Sequence, residues 1–320
     1  MNIQKEEYYV TSYKEMIELA KKLREKDKDK PYTIHIDGQQ EEIGNFKFPY
    51  SDFHIINHGN RLISRRYAKE KDENGNELTT WKTAALKITG DNNTFENLII
   101  ENRAGHPETK GQEVALGVYG DHNTFISCEF SSTQDTLFVG PLPDDLSTRY
   151  LDFLSEDERY HEGNTMNYFS HCIIKGTVDF IFVAGQAIFD TCRLITVYDK
   201  RGETYVVAGS QSLKDNFGYL FEECSFEKGN DVNENSTYLA RPWRDYAKNV
   251  FHNCRYDDHI RKEGFSDWSD VNRTRTARYY EYPYQEGRVS WIKTGKEDTI
   301  PKKYLDAVRE LRERLRKKMN

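Results

Sequence analysis

Two aspartates hold the same place in an internal repeat of this sequence, and their types and spacing could do chemistry. Asp135 follows Phe125 by ten residues, and Asp179 follows Phe169 by ten. If the two Phe residues are equivalent points of successive structural units, the carboxylates become cross-strand neighbours, about 5 Å apart at Cβ. Two carboxyls that close do not both ionise cheaply, so one pKa rises while the other stays low. A protonated and an ionised carboxyl side by side form an acid/base and a nucleophile. Asp199 also lies ten residues after Phe189, so phase alone does not separate a reactive pair from turn aspartates on a solvated edge.

The element that must position this pair is the repeat itself. Its Phe residues are 95, 125, 169, 189, 221 and 251, at steps of 30, 44, 20, 32 and 30 residues. Three residues after each Phe stands Leu98 or one of the five cysteines, Cys128, Cys172, Cys192, Cys224 and Cys254. Self-similarity at such steps marks a solenoid or array. The units show short alternating β-prone runs bounded by Gly, Asn and Asp, with no 3.6-residue period. Parallel β-coils follow, one rung per repeat about 4.8 Å from the next, with loops absorbing the unequal steps. Phe and Cys then stack in columns inside the coil, the cysteines as small buried hydrophobes.

Both ends carry a helical pattern. Tyr13, Met16, Ile17, Ala20 and Leu23 share one face over 12–26, and Tyr304, Ala307, Val308, Leu311 and Leu315 share one over 301–319. Amphipathic helices of this kind are expected to cap the two ends of the coil. The second is basic on its other face, but Glu and Asp interrupt the charge, which fits a solvated face better than a membrane-binding one.

Composition narrows the classes. A formal net charge of -7 argues against a nucleic-acid binder, which needs a basic field. No run of about 20 apolar residues is present to span a membrane. The odd cysteine count and the lack of a CxxC pair speak against a disulfide framework or zinc cluster. The nine histidines show no metal-ligand spacing, and no metal or other cofactor is expected. The opening residues show no basic region followed by an apolar run, which leads to the expectation of a cytoplasmic protein.

Four segments in order resemble signatures of the pectin methylesterase (pectinesterase) family: Gly111–Leu116 (GQEVAL), Gln134–Leu137 (QDTL), Gly176–Phe182 (GTVDFIF) and Leu239–Trp243 (LARPW). Weaker matches extend from the helix near Ser12 through 202–209 and 258–268 to Trp291, so most of the chain is covered. The resemblance implies an all-β right-handed parallel β-helix, one domain over 1–320, hydrolysing methyl esters of galacturonan or oligogalacturonides, as a monomer without nucleic-acid or membrane partners. It implies Asp179 as nucleophile and Asp135 as the acid that becomes the base. Gln112 and Gln134 would donate to the oxyanion, Arg241 would hold Asp179 ionised, and Trp243 would face a sugar ring.

The sequence departs from the family at three places. Val183 and Ala240 stand where the family has Gly, removing backbone freedom near the site. An insertion at about 141–167, rich in Asp, Glu and Tyr, separates the two aspartates and is expected to wall one end of the cleft and favour short oligomers. Three rivals share the architecture: a polygalacturonase, a calcium-dependent pectate lyase and a non-catalytic carbohydrate binder. The two glutamines favour ester hydrolysis, since an oxyanion needs donors. A serine esterase has no support, because no Gly-x-Ser-x-Gly elbow occurs and the Ser290-to-Lys293 match overlaps Lys293-Thr294-Gly295.

Overall fold

Each Phe of the repeat lies in a short strand, and the six strands stand side by side in parallel, Phe against Phe. This is seen in the computed structural model, which describes residues 6–159, 166–215, 217–294 and 300–319. The register pairs Phe95 with Phe125, Phe125 with Phe169, Phe169 with Phe189, Phe189 with Phe221 and Phe221 with Phe251. Ring centroids along this column are 4.6–5.2 Å apart, with planes within 14° of parallel. Extended to both sides, the strands make sheet A, of 11 strands; sheet B has 8 and sheet C has 7. From the strand Glu41–Ile43 to the strand Thr237–Pro242 the chain visits B, C and A in turn, rung after rung, which is the parallel β-helix the repeat predicts.

The corner from A to B explains why Cys recurs three residues after Phe. Two residues after each Phe, Asn97, Ser127, His171, Thr191, Glu223 and Asn253 adopt left-handed φ of 52–58°. Such a conformation bends the strand sharply at a cost of about 1 kcal/mol or more for a non-glycine residue. Each corner N–H bonds the next rung; that of Ser127, for example, donates to the Ser170 carbonyl at 2.9 Å. The buried thiol that follows donates back to the preceding rung's Phe carbonyl, at 3.6 Å from Cys128 to Phe95 and 3.3 Å from Cys224 to Phe189. A small side chain with a weak donor therefore fits the corner. All five cysteines are buried and free.

The helix Tyr13–Lys26 closes the first end of the coil. Ser12 caps it by accepting from the Glu15 N–H, and Tyr13, Met16, Ala20 and Leu23 join the interior core. The second helix, Lys302–Met319, differs from its expected place. Tyr304 and Val308 are buried on Tyr168, Ile188, Leu220 and Val250, the outward-facing column of sheet A, so this helix covers a flank. Arg312 anchors it through a two-pronged ion pair with Asp190. At the far end the core finishes on Phe265, Tyr279, Trp291 and Ile292. No described helix is long and apolar enough to cross a membrane.

Between Val139 and Asn167 the chain leaves sheet C and returns in sheet A. Its described part contains the helix Asp144–Arg149 and a single turn at Glu156–Glu158. Leu142, Leu146 and Leu154 are buried with Trp81, Phe138 and Phe182 on the outer face of sheet C.

Removing one ring from the Phe column opens a cavity that the rungs cannot close. Phe169→Ala is expected to lower the unfolding free energy by about 3–5 kcal/mol in urea titrations; a loss below about 1 kcal/mol would show that the column carries little stability.

Candidate active site

Both aspartates lie where the chain enters sheet C, and the rung register makes them neighbours. Leu137 pairs with Ile181, so Asp135 and Asp179, each two residues earlier, stand side by side. The Asp135 N–H donates to the Val178 carbonyl at 3.1 Å. Both residues have left-handed φ, 63° and 50°. Against the next strand the register slips by one between Val178 and Ile181, so Asp179 sits in a bulge that turns its side chain outward. Gly176 is required for close approach: a Cβ there would come within 2.2 Å of the Phe180 Cβ and 2.7 Å of the Thr136 hydroxyl.

The two carboxyls are equally buried, at 8% and 7% exposed, yet their partners differ. Arg241, two rungs beyond Asp179, grips Asp179 with a fork: Nε donates to Oδ1 at 2.8 Å and Nη2 to Oδ2 at 2.7 Å. Its guanidinium lies between two rings, 3.7 Å from the Tyr205 centroid and 3.9 Å from that of Trp268. Planar stacking and a fixed fork make this a site for Arg and not Lys. Asp135 has no such cation. Burial first, and the Asp179 charge second, push its pKa well above the ordinary carboxylate range; Arg241, a Gln134 hydrogen bond and Arg201 only partly oppose this. The two carboxyls thus differ in their surroundings, and Asp135 is the one pushed toward its protonated form.

Asp199, the third aspartate of equal phase, has another task. It forms a two-pronged pair with Arg201, whose Nε and Nη2 donate to its carboxylate at 2.9 and 2.7 Å. Arg201 Nη1 then donates to Gln134 Oε1 at 2.9 Å. Holding that oxygen leaves the Gln134 amide N–H groups turned toward the cleft. Gln112 lines the same cleft, and the two glutamine segments are tied by the Glu113 N–H donating to the Gln134 carbonyl. Glu113 is itself buried and takes bonds from the Thr133 hydroxyl and the Gly105 N–H.

The cleft has a volume of about 500 Å³. Asp135, Asp179, Phe182, Ala208 and Arg241 line it, together with the aromatic side chains of Trp81, Tyr150, Trp243 and Trp268. All six residues predicted from the sequence, Asp135, Asp179, Gln112, Gln134, Arg241 and Trp243, therefore converge here. Four others were missed. Arg201 could have been found as the basic residue two places after the third aspartate. Tyr205 and Trp268 fall inside the weaker matches at 202–209 and 258–268 without being singled out there, and Tyr150, in the insertion, carries no local signal. Val183 and Ala240, in place of Gly, are ordinary strand residues, paired with Val139 and Gly209 and with Val207 respectively.

The family model described as Pectinesterase matches residues 8–142 and 155–298, leaving 143–154 unmatched between them. Pectinesterase QRT1 of Arabidopsis thaliana is 28% identical over 284 residues, 85% of this chain and 62% of that protein. Pectinesterase/pectinesterase inhibitor 3 of the same plant is 28% identical over 64% of this chain and 31% of its own length. The chain thus spans less than two thirds of these relatives. A pectin methylesterase from carrot has the same fold, with a TM-score of 0.68 at 23% identity, covering 85% of this chain and 82% of its own. A pectin methylesterase solved in complex with a hexasaccharide gives 0.70 at 18%, covering 92% and 94%. The cytoplasmic expectation is corrected by these relatives: they are pectinesterases of plants, whose pectin lies in the wall outside the cell. An address read from opening residues rests on the absence of a pattern, which does not fix a compartment. Matched over most of its length, fold and sequence together, the chain belongs to the pectinesterase family.

Proposed function

We propose that the protein hydrolyses methyl esters of galacturonan, giving free carboxylate and methanol, and that Asp179 and Asp135 carry the reaction. The observation that supports this most is the unequal pair: Arg241 grips Asp179 alone, while burial keeps the proton on Asp135. The ionised Asp179 attacks the ester carbonyl carbon with a lone pair not engaged by Arg241. The resulting oxyanion accepts hydrogen bonds from the Gln112 and Gln134 amides. The tetrahedral intermediate collapses, the C–OCH3 bond breaks, and Asp135 passes its proton to the leaving oxygen as methanol departs. An acyl anhydride on Asp179 remains. Water attacks its galacturonate carbonyl while Asp135, now ionised, takes the proton. Collapse returns both carboxyls to their starting states and releases galacturonic acid, which loses its proton to solvent.

Trp243 and Trp268 offer aromatic faces to sugar rings. The hexasaccharide complex of a family neighbour supports an oligosaccharide as occupant of the cleft. The same reading takes the protein as a monomer working without a cofactor, with the polysaccharide as its partner and neither nucleic acid nor membrane involved. A glycoside hydrolase or a lyase on this fold would yield new reducing ends or an unsaturated sugar, so product analysis separates the three reactions.

Asp179→Ala is expected to reduce methanol release to background with an unchanged far-UV circular dichroism spectrum. Asp135→Asn should lower kcat by roughly 10²–10⁴-fold. Residual turnover of Asp179→Ala near the wild-type rate would sink the mechanism. Gln134→Ala should cost about 10²–10³ in kcat through the lost oxyanion donor. Arg201→Ala should lower kcat with little change in KM, because it frees the Gln134 amide to rotate; a change confined to KM would remove Arg201 from the positioning role.

The pH dependence has a definite sign. The folded pKa of Asp135 lies above its unfolded value of about 3.9, so its protonation stabilises the fold fully below that value. The contribution fades as pH rises through the folded pKa, because the unfolded chain releases the proton first. Methanol release should fall over the same upper range as Asp135 ionises. Urea midpoints measured from pH 4 upward should decline for the wild type and flatten in Asp135→Asn. A parallel decline in both proteins would assign the loss to other groups.

A further inference from the structure

Residues 143–154, which the family match passes over, run back across the outer face of sheet C and away from the reacting pair. The segment is fastened at both ends. At its start Leu142 and Leu146 are buried, and the Ser147 hydroxyl donates to the Leu142 carbonyl at 2.9 Å. Beyond it, Lys47 reaches Asp157 at 2.5 Å and Lys87 reaches Glu158 at 2.9 Å, the latter carboxylate only 3% exposed. Lys47 and Lys87 belong to the first two strands of sheet C, so these ion pairs hold the segment over the early rungs. Anchors of this kind make a wall and not a mobile lid, since a buried ion pair strongly resists losing one partner.

The wall meets the opposite rim of the cleft. The Tyr150 ring lies 5.1 Å from that of Trp81, and Lys82 Nζ stands 5.8 Å from the Phe153 ring. Trp81 and Lys82 belong to the loop that enters sheet C from the other side. The segments before and after sheet C therefore touch above the early rungs, while toward the later rungs the cleft continues over Ala208, Arg241 and Trp243.

We infer that residues 143–154 close the cleft on the side of the early rungs, so that a methylated galacturonan is accepted there only as a chain end, with Tyr150 as the residue that meets it. This rests on the esterase reading above and adds a substrate preference to it: short oligogalacturonides and chain ends over the interior of long polymer. The aromatic pair supplies an apolar face on which the terminal sugar ring packs.

The test compares wild type, Tyr150→Ala, and a variant in which 143–154 is replaced by a short Gly-Ser link. Each is assayed for methanol release from fully methylated oligogalacturonides of graded length and from long methylated galacturonan, with mass spectrometry locating the first sugar de-esterified. Wild type is expected to favour the short oligomers and to start near one end. Tyr150→Ala should raise the ratio of kcat/KM for polymer over oligomer by about tenfold, and the replacement by at least as much. Should the replacement not fold, Tyr150→Ala alone decides the matter. Attack by wild type at interior sugars of polymer, or an unmoved ratio in Tyr150→Ala, overturns the inference while leaving the esterase reading intact. No methanol from any substrate with wild type overturns both.

Discussion

Everything in this molecule depends on one rung lying in register on the next. Parallel pairing sets Phe on Phe from 95 to 251, and a slip of one residue would turn every inward ring out. The corner residues with left-handed φ and the thiols behind them hold that register, because each bonds the rung above or below. A parallel coil of this kind has no local hairpins to hold its register; side-chain columns must do it. Once they do, any residue type recurring at one phase becomes a ladder. Asn93, Asn123 and Asn167, two residues before their Phe, form another, with the Asn123 and Asn167 side-chain oxygens each accepting the backbone N–H of the Asn before it.

The site uses this regularity and then breaks it. Asp135 and Asp179 share phase, backbone conformation and burial, and by symmetry alone they would be equivalent. The asymmetry comes from Arg241, which reaches Asp179 from two rungs further on and is held flat between Tyr205 and Trp268. A single off-centre cation makes the two carboxyls unequal. The bulge at Asp179 and the close contact at Gly176 are the local irregularities that let the strand present the carboxylate outward.

The other groups in the cleft follow the same division of labour. Asp199 holds the phase of Asp135 and Asp179 but takes Arg201 as its partner, and Arg201 in turn holds Gln134. A residue read from the repeat as a third candidate thus supports the site from behind. The aromatic rims come from loops of very different origin, Trp81 ahead of sheet C, Tyr150 after it, and Trp243 and Trp268 later in the chain. Loop lengths, unlike rungs, are free to vary without disturbing the core.

What the sequence determined by itself was everything carried by period: the coil, the Phe and Cys columns, the adjacency of Asp135 and Asp179, and the N-terminal helix as a cap. Four motifs in order added Gln112, Gln134, Arg241 and Trp243. The C-terminal helix shows where pattern stops. Its apolar face says that one side is buried but not against what, and the outward column of sheet A, with Asp190 meeting Arg312, claimed it. The bond from Arg201 to Gln134, the stack around Arg241 and the contact of Tyr150 with Trp81 were decided only by the tertiary structure. Each joins residues tens of positions apart on separate rungs or loops, and such distances are set by where the coil brings them, which no local spacing records.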